Sequence, residues 1–574
     1  MPTKLQSHLS LLFPAWACLL IAALFLILPL SGSPASQSAA PAGDPDAACA
    51  SCHKDIYNQY RQSAMARGSG PAAEGFIPAD FFHQESNIHY RITSRDGRVY
   101  LSYERPAGLN EAPLKGEEEL LYYLGSGKRG RTFLFQREGY WFEIPINWYA
   151  KKGIWDMAPN YQQAKEMPLT LPVDSSCLHC HASGVQPSLP QARNRYAKVP
   201  FLYGGVTCEG CHGDASQHLA QHGRGPILNP DKLAANKRDS ICLQCHLEAE
   251  VLVNRRGHTL YDFKPGEEIS DDVVHFVHRN TIGAGGRATS QWEALLQSAC
   301  KRASGDRLTC TTCHDPHRSI PAGESVLYYR NKCLQCHTGA KFATNHHPEQ
   351  QDCAACHMPA GETRDIAHEQ VTDHRIQIPG APANGVPTLT GIADNTPNAN
   401  PLVAVRGTAT DRDLGVAYSR LAVAGNREAG EQALRFLRAA ELASNGQASP
   451  PDPVLHTQLG FLDQVSGDIP AAAKEYRLAM AEDPFDATAA GNIALIEAKQ
   501  GDLKSAVKLW ASVLDRDPAQ KTAGFDLAAA ECRLGDAKAA RQVLDRMLLF
   551  SPDNQRAKQF AAALADGSQP CPRH

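Results

Sequence analysis

The chain has 574 residues, 43% hydrophobic and 21% charged, which is enough for several domains and argues against wholesale disorder. A formal net charge of -4 offers no electrostatic case for a nucleic-acid partner. The unusual count is cysteine, at 18.

A short basic start (Lys4, His8) leads into an apolar run over 9–30 and a stretch rich in Ser, Ala, Pro and Gly over 31–46. This reads as an export signal over 1–38, with Ser36-Gln37-Ser38 as a small-residue cleavage site. The run also approaches the roughly 20 residues that span a bilayer, so an uncleaved N-terminal membrane anchor stays open. Either way the chain is expected in the periplasm or another extracytoplasmic space, with membrane contact only if the segment is retained.

Fourteen cysteines fall in one repeated pattern, Cys-x-x-Cys-His. In chain order the seven copies are Cys49/Cys52/His53, Cys177/Cys180/His181, Cys208/Cys211/His212, Cys242/Cys245/His246, Cys310/Cys313/His314, Cys333/Cys336/His337 and Cys353/Cys356/His357. About 0.02 copies are expected by chance at this composition. Two cysteines one helical turn apart can add to the two vinyl groups of one haem, and the following His is placed to bind the iron. Zinc ribbons also use Cys-x-x-Cys, but two pairs share one metal and nothing there demands His after the second cysteine. Disulfides and redox dithiols ignore that His as well. The motifs therefore predict seven covalently attached c-type haems, each with a proximal His.

A sixth iron ligand must be found elsewhere or left open. The candidates are Met65, His83, His89, His218, His222, His258, His275, His278, His317, His346, His347, His368 and His374. Twelve histidines for seven positions make mostly bis-His ligation plausible without saying which are used. His218 and His317 stand out because each lies just past a haem motif.

Cys49-Ala-Ser-Cys52-His53 followed by Tyr60-Arg-Gln-Ser63-Ala-Met65-Ala66 resembles the opening of the cytochrome c-552/4 multihaem family. There the segment reads aromatic-x-x-Ser-x-His-Ala, and the His is a distal ligand. Here Met65 stands at that position. A Met/His haem has a raised potential; the alternative is a Met packing an amphipathic helix. Cys208-Glu-Gly-Cys211-His212-Gly213 with His218 resembles that family's haem motif followed by a distal His for a neighbouring haem, and Cys310-Thr-Thr-Cys313-His314-Asp-Pro-His317 is similar to doubled-motif cytochromes, in which the second His serves an adjacent haem. The resemblance runs over about 47–376. It implies a compact helical core with porphyrins close enough to pass electrons in series.

Between the first two motifs, alternating residues around Asp96-Gly97 and Glu138-Gly139 predict two hairpins, and so a small β-rich insertion at about 87–150. Lys128, Arg129 and Arg131 form a basic turn between them. It lacks the phosphate-loop pattern, and its cations could meet haem propionates. Residues 377–410 read as a linker. Beyond it, 411–566 show a 34-residue period: Gly467-Asp468, Gly501-Asp502 and Gly535-Asp536; Ala472, Ala506 and Ala540; Pro484, Pro518 and Pro552. With Leu459-Gly460 and Tyr476 this is the tetratricopeptide (TPR) pattern, capped by a divergent unit over 414–442. Such arrays bind partner proteins, or dock on their own chain. A short tail, 567–574, follows. Cys532 is expected to be a buried small residue, and Cys300 and Cys571 could pair.

The fold expected is mainly α: a multihaem core over 47–376 with a small β-hairpin insertion, then an all-α TPR solenoid. The function expected is electron transfer between redox partners in the cell envelope, with the repeats choosing the partner. The alternative is a multihaem reductase of a small nitrogen or sulfur compound, which needs one iron with an open sixth position. No residue is assigned a catalytic role.

Overall fold

The computed structural model describes residues 43–108, 113–159, 161–167, 169–190, 192–279, 290–338, 351–360, 372–378, 401–423, 425–444, 450–566 and 571. The expected signal or anchor, most of the expected linker, and His346, His347 and His368 lie outside these residues. Among the described residues no helix is long and apolar enough to cross a membrane.

About 45% of the structure is helical, and sheet is far more extensive than two hairpins. Ten strands form one antiparallel sheet: β1 (Ser69–Pro71), β2 (Ala79–His83), β3 (Ile88–Arg95), β4 (Arg98–Arg105), β5 (Leu114–Leu124), β6 (Gly130–Arg137), β7 (Tyr140–Glu143), β8 (Ile146–Tyr149), β9 (Ile154–Met157) and β10 (Leu171–Pro172). Its main path runs β10-β7-β6-β5-β4-β3-β2. The two expected hairpins are its framework. Asp96 and Gly97 turn β3 into β4, and Glu138 and Gly139 turn β6 into β7. All four residues have positive φ, as a two-residue turn matched to strand twist requires. Alternate residues on β3 and β4 (Ile88, Tyr90, Ile92; Val99, Leu101, Tyr103) are buried with Phe133, Phe135 and Phe142 in one core.

A second, three-stranded sheet pairs β13 (Val251–Asn254), β14 (Val273–His278) and β15 (Leu402–Ala404), after a short pairing of β11 (Ala182–Val185) with β12 (Phe201–Gly204). β15 lies inside the segment expected as linker. Leu402 and Val403 are apolar and buried, and sheet pairing satisfies backbone groups that an open linker would leave to water.

From Asp411 the chain is helical, in antiparallel pairs closed by a last helix, Gln555–Asp566. The repeated Gly-Asp has a physical reason. Gly467, Gly501 and Gly535 take φ near +90° after each helix, a conformation that suits glycine. Asp468, Asp502 and Asp536 then cap the next helix, accepting from the backbone N–H of Ala471, Ser505 and Ala539 at 3.0, 3.1 and 2.8 Å. Ala472, Ala506 and Ala540 are fully buried. A Cβ on Gly460 would stand 2.7 Å from the Tyr476 ring, so the two helices of that pair need glycine to approach.

The array is fastened to the rest of the chain at both ends. At its start, Val416, Ala417, Tyr418 and Leu459 share a core with Val251, Val253, Val274, Phe276 and Leu402 of the three-stranded sheet. Arg255 meets Asp413 at 2.7 Å, while Arg256 and Arg412 both reach Asp452 at 3.0 Å. At its end, Phe550 inserts against Tyr140 and Phe142 of the large sheet, ring centroids 6.0 and 5.9 Å away. Beside it Arg105 and Asp553 form a bidentate ion pair, 3% and 2% exposed.

Cys532 is buried as expected, but the expected pairing of Cys300 with Cys571 is corrected. Cys532 is paired in a disulfide with Cys571, Cα atoms 5.6 Å apart, and Cys300 is a free thiol. The bond ties the tail to the helix Lys521–Arg533.

Candidate haem attachment sites

Every Cys-x-x-Cys-His lies on or beside a short helical turn: Ala47–Ala50, Ser175–His179, Glu209–His212, Ala235–His246, Cys310–Cys313, Ala322–Leu334 and Cys353–His357. In several, the carbonyl of the first cysteine accepts from the backbone N–H of the motif His: Cys49 from His53 at 2.8 Å, Cys208 from His212 and Cys310 from His314 at 3.0 Å, and Cys333 from His337 at 3.1 Å. One turn thus brings both sulfurs and the imidazole to one side. Asp174 and Asp352 cap two of these helices through Cys177 N and Ala355 N.

The donor set fits a covalently held haem. All fourteen motif cysteines are free thiols in a chain that does form a disulfide. The His212 Nδ1–H donates to the Leu228 carbonyl at 2.9 Å, and the His357 Nδ1–H to that of Gln377 at 2.8 Å. For His212 this fixes the ring and leaves Nε2 for a metal, the arrangement metal-bound imidazoles favour. The residues that would hold haem are therefore those of the motifs.

The motifs are not equally enclosed by protein side chains. Cys180, Cys208, Cys211, Cys242, Cys245, Cys310 and Cys313 are half-buried, as are Cys49 and Cys353, whereas Cys52, Cys177, Cys333, Cys336 and Cys356 are exposed. The second cysteines of the last two motifs, Cys336 and Cys356, thus stand at the protein surface. Cys336 still lies near Cys300 and Cys313, whose thiol pKa values it helps to raise. The reason is that the helices Ala322–Leu334 and Cys353–His357 bury none of their residues, so protein side chains do not cover the sulfurs beside them.

The distal candidates separate into groups. His317 lies beside His212, ring centroids 6.0 Å apart and planes inclined by 18°. His374 lies beside His314 at 6.2 Å and 30°, and its Nδ1–H donates to the Thr372 carbonyl at 2.8 Å. Burial holds both His317 and His374 below the ordinary imidazole value, which favours the neutral, ligating form. His218 donates through Nδ1 to Gly225 O at 2.9 Å. His222 is exposed with positive φ. His258 and His278 direct Nδ1 to Asp272 (2.8 Å) and Glu250 (2.6 Å); the Glu250 carboxylate raises the His278 pKa.

Three candidates lie on sheet strands. Both ring nitrogens of His83 are engaged, by Ser86 Oγ at 2.7 Å and the Gln162 carbonyl at 3.1 Å. Those of His89 meet Asp80 at 2.5 Å and Arg91 at 2.8 Å. His275 is 3% exposed within β14, where burial pushes its pKa down to about 4. Met65 is not on an amphipathic helix: the helix ends at Tyr60, and Met65 is half-buried in the turn that follows. Its carbonyl accepts from Val206 N at 3.0 Å, two residues before Cys208.

The basic turn is partly consumed by structure. Arg131 donates to the Gly125 and Gly75 carbonyls at 3.0 and 2.8 Å and stacks on Tyr123. Lys128 reaches Ser319 Oγ at 3.0 Å, near the fifth motif.

Long-range contacts that no sequence pattern announced join the motifs. Asp46 Oδ1 accepts from Cys208 N at 3.0 Å, and the Asp46 carboxylate and the Cys49 and Cys208 sulfurs lie within 4.8 Å of one another. Cys180 Sγ reaches the Gln244 carbonyl at 3.6 Å, and Gln244 Nε2 donates to Gly210 O at 3.3 Å. Cys310 N donates to Asp239 Oδ1 at 3.2 Å. Across motifs, Cys49 neighbours Cys208, Cys180 neighbours Cys245, Cys242 neighbours Cys310 and Cys333 neighbours Cys353, each pair perturbing its thiol pKa values.

Three family models match separate stretches: cytochrome c554 and c-prime over 150–213, the doubled CXXCH motif over 302–342, and the tetratricopeptide repeat over 497–564. The multiheme cytochrome MtrA of Shewanella baltica is 26% identical over 188 residues, 28% of this chain and 52% of that protein. The C-type polyheme cytochrome OmcC of Geobacter sulfurreducens is 29% identical over 161 residues, 25% of this chain and 20% of that protein. The chain thus spans about half the length of the first relative and a fifth of the second. A solved MamA structure covers 27% of this chain and 80% of its own, at 19% identity and a TM-score of 0.24, a likeness too low to bear on function. With haem-binding motifs, the doubled arrangement and the repeats on one chain, the protein is a multihaem c-type cytochrome fused to a tetratricopeptide repeat region.

Proposed function

We propose that the protein carries electrons between redox partners outside the cytoplasm. Seven c-type haems are held by the seven motifs, in a cytochrome part over 47–376, and the repeats over 411–566 present a partner surface. The observation that carries this reading is the approach of different motifs to one another: the Cys49 and Cys208 sulfurs lie within 4.8 Å, Cys180 Sγ is 3.6 Å from the Gln244 carbonyl, and Cys310 N donates to Asp239 at 3.2 Å. Each sulfur bonds the porphyrin edge, so motifs that meet bring porphyrin edges together, and tunnelling falls steeply with edge-to-edge distance. Bound haem supplies reversible one-electron chemistry at its iron.

The chain's own part is to fix and tune these sites. His317 is assigned as axial partner of His212, and His374 of His314, on the ring separations above. His53, His181, His246, His337 and His357 are the other proximal ligands. The exposed Cys336 and Cys356 are assigned to haems of the sixth and seventh motifs, whose edges then lie where a redox partner can approach. An extracytoplasmic location is supported by the N-terminal apolar run and by the attachment chemistry.

The test is the haem-loaded, exported protein. Its intact mass should correspond to seven haems, and low-temperature EPR should show only low-spin iron that ignores carbon monoxide and nitrite. Fewer than seven haems refutes the count. A high-spin signal that shifts with nitrite replaces electron transfer by the reductase reading.

A further inference from the structure

The sixth motif begins on the helix Ala322–Leu334, and the two sides of that helix differ. One side is turned to the fifth motif: the Tyr329 hydroxyl lies 3.4 Å from His314 Nδ1, with ring centroids 5.7 Å apart. Positions two apart on a helix are separated by about 200°, so Leu327 stands on the far side from Tyr329. Leu327, Arg330, Asn331 and Leu334 share that side at the i, i+3, i+4, i+7 spacing of one helix face. Leu327 is 61% exposed, the most exposed large apolar side chain among the described residues of 47–376.

The charge around this face is one-sided. Tyr328 is flanked by two cations, the Arg318 guanidinium 5.6 Å and the Lys332 ammonium 5.4 Å from its ring centroid. Arg318 has one carboxylate nearby, Glu324 at 3.9 Å, and among the described residues neither Arg330 nor Lys332 forms an ion pair. The stretch 299–338 holds six Lys and Arg against three Asp and Glu, in a chain whose formal net charge is -4.

We infer that this face is the docking site of an acidic one-electron carrier protein, which exchanges electrons with the haem of the sixth motif. The inference rests on the electron-transfer reading above and deepens it by naming the place of contact and the charge of the partner. Leu327 and Tyr328 supply an apolar centre, and Arg318, Arg330 and Lys332 a cationic rim, which is the anatomy of a protein interface. Opposite charge draws the partner to the face and sets its orientation. From Leu327 to Cys333 the helix rises about 9 Å, and Cys333 and Cys336 are both exposed. A carrier seated on the face therefore brings its cofactor near the porphyrin edge that those sulfurs bond. One electron leaves the partner's reduced centre and takes the haem iron from ferric to ferrous, or returns by the reverse step.

The test uses the full haem-loaded chain and, as probe, a strongly acidic plant-type ferredoxin. On stopped-flow mixing, the reduced ferredoxin should reduce haem at a rate that falls as salt is raised. Arg330→Glu with Lys332→Glu should slow that rate about tenfold or more at low salt. Reduction by dithionite and the mass for seven haems should stay unchanged. Leu327→Asp should slow the rate as well, and decides the matter if the double variant loses a haem. The same charge reversal on the array, Arg427→Glu with Lys504→Glu, both exposed, should leave the rate as it was. An unchanged rate in both face variants, or an equal loss from the array variant, overturns the inference and leaves electron transfer standing. So does a ferredoxin that reduces none of the haems that dithionite reduces. A high-spin iron that binds nitrite is a separate result, and counts against the electron-transfer reading itself.

Discussion

The repeat region and the motif-bearing helices are built on opposite principles. Each paired helix of the array buries an apolar face against its neighbour: Leu455 and Leu459, Ile493 and Ile496, Trp510 and Val513, Leu544 and Met547. By contrast Glu209–His212, Cys310–Cys313, Ala322–Leu334 and Cys353–His357 bury no residue at all. A 13-residue helix with no buried face is not held by protein contacts alone, since isolated helices of this length are marginal in water. The array's core is side chains; most motif helices bury no residue of their own, Ser175–His179 and Ala235–His246 excepted.

The largest effect that could break this comparison is haem omission. In chain produced without haem attachment, hydrogen exchange should show 301–338 and 351–360 unprotected, while 453–550 stay protected. Equal protection in both regions would mean the motif helices stand on protein packing after all. Next in size is the joint between the array and the large sheet. Arg105→Ala leaves Asp553 buried without its partner and should cost about 3–5 kcal/mol in denaturant unfolding. Replacing both, Arg105→Met with Asp553→Leu, should recover most of that loss, because an apolar pair avoids burying two charges.

Cys571→Ser opens the disulfide on Cys532 and should lower array stability by about 2–4 kcal/mol; calorimetry of the two forms checks this, with haem absorbance unchanged. Asp502→Ala removes one helix cap and should cost about 1 kcal/mol, read as a small fall in the array's melting temperature. The pH dependence sharpens the boundary between ligand and core histidines. Burial lowers the folded pKa of His275 to about 4. Below the unfolded value of about 6.5 the unfolded chain therefore binds the extra proton. Stability should fall as pH drops from about 6.5 toward 4, and His275→Phe should flatten that slope. An unchanged slope, with a haem spectrum altered by the substitution, would make His275 an iron ligand.

Much of the array was legible because its determinants are local. Glycine at a left-handed position, aspartate at the cap and alanine at a helix crossing each act within one turn of the chain, and they recur at a fixed step. The two hairpins were legible for the same reason. The rest of the ten-stranded sheet was not. β1, β8, β9 and β10 are two to four residues long, too short for alternation to mark them, and they are held by pairing to distant strands. β15 was hidden by its Pro- and Asn-rich surroundings.

The sequence by itself determined the attachment chemistry. Cys, Cys and His on one turn carry their meaning wherever the fold puts them, because the bonds to haem are covalent and local. Only the tertiary structure decided which motif stands beside which, and that Cys336 and Cys356 are exposed while Cys245 and Cys310 are not. It also placed His317 and His374 beside motif histidines and His83, His89 and His275 on sheet strands, and paired Cys571 with Cys532. These depend on residues far apart in the chain meeting in space. Composition and spacing carry no record of that, because the contacts are made by backbone atoms and ordinary polar side chains such as Asp46, Asp239 and Gln244.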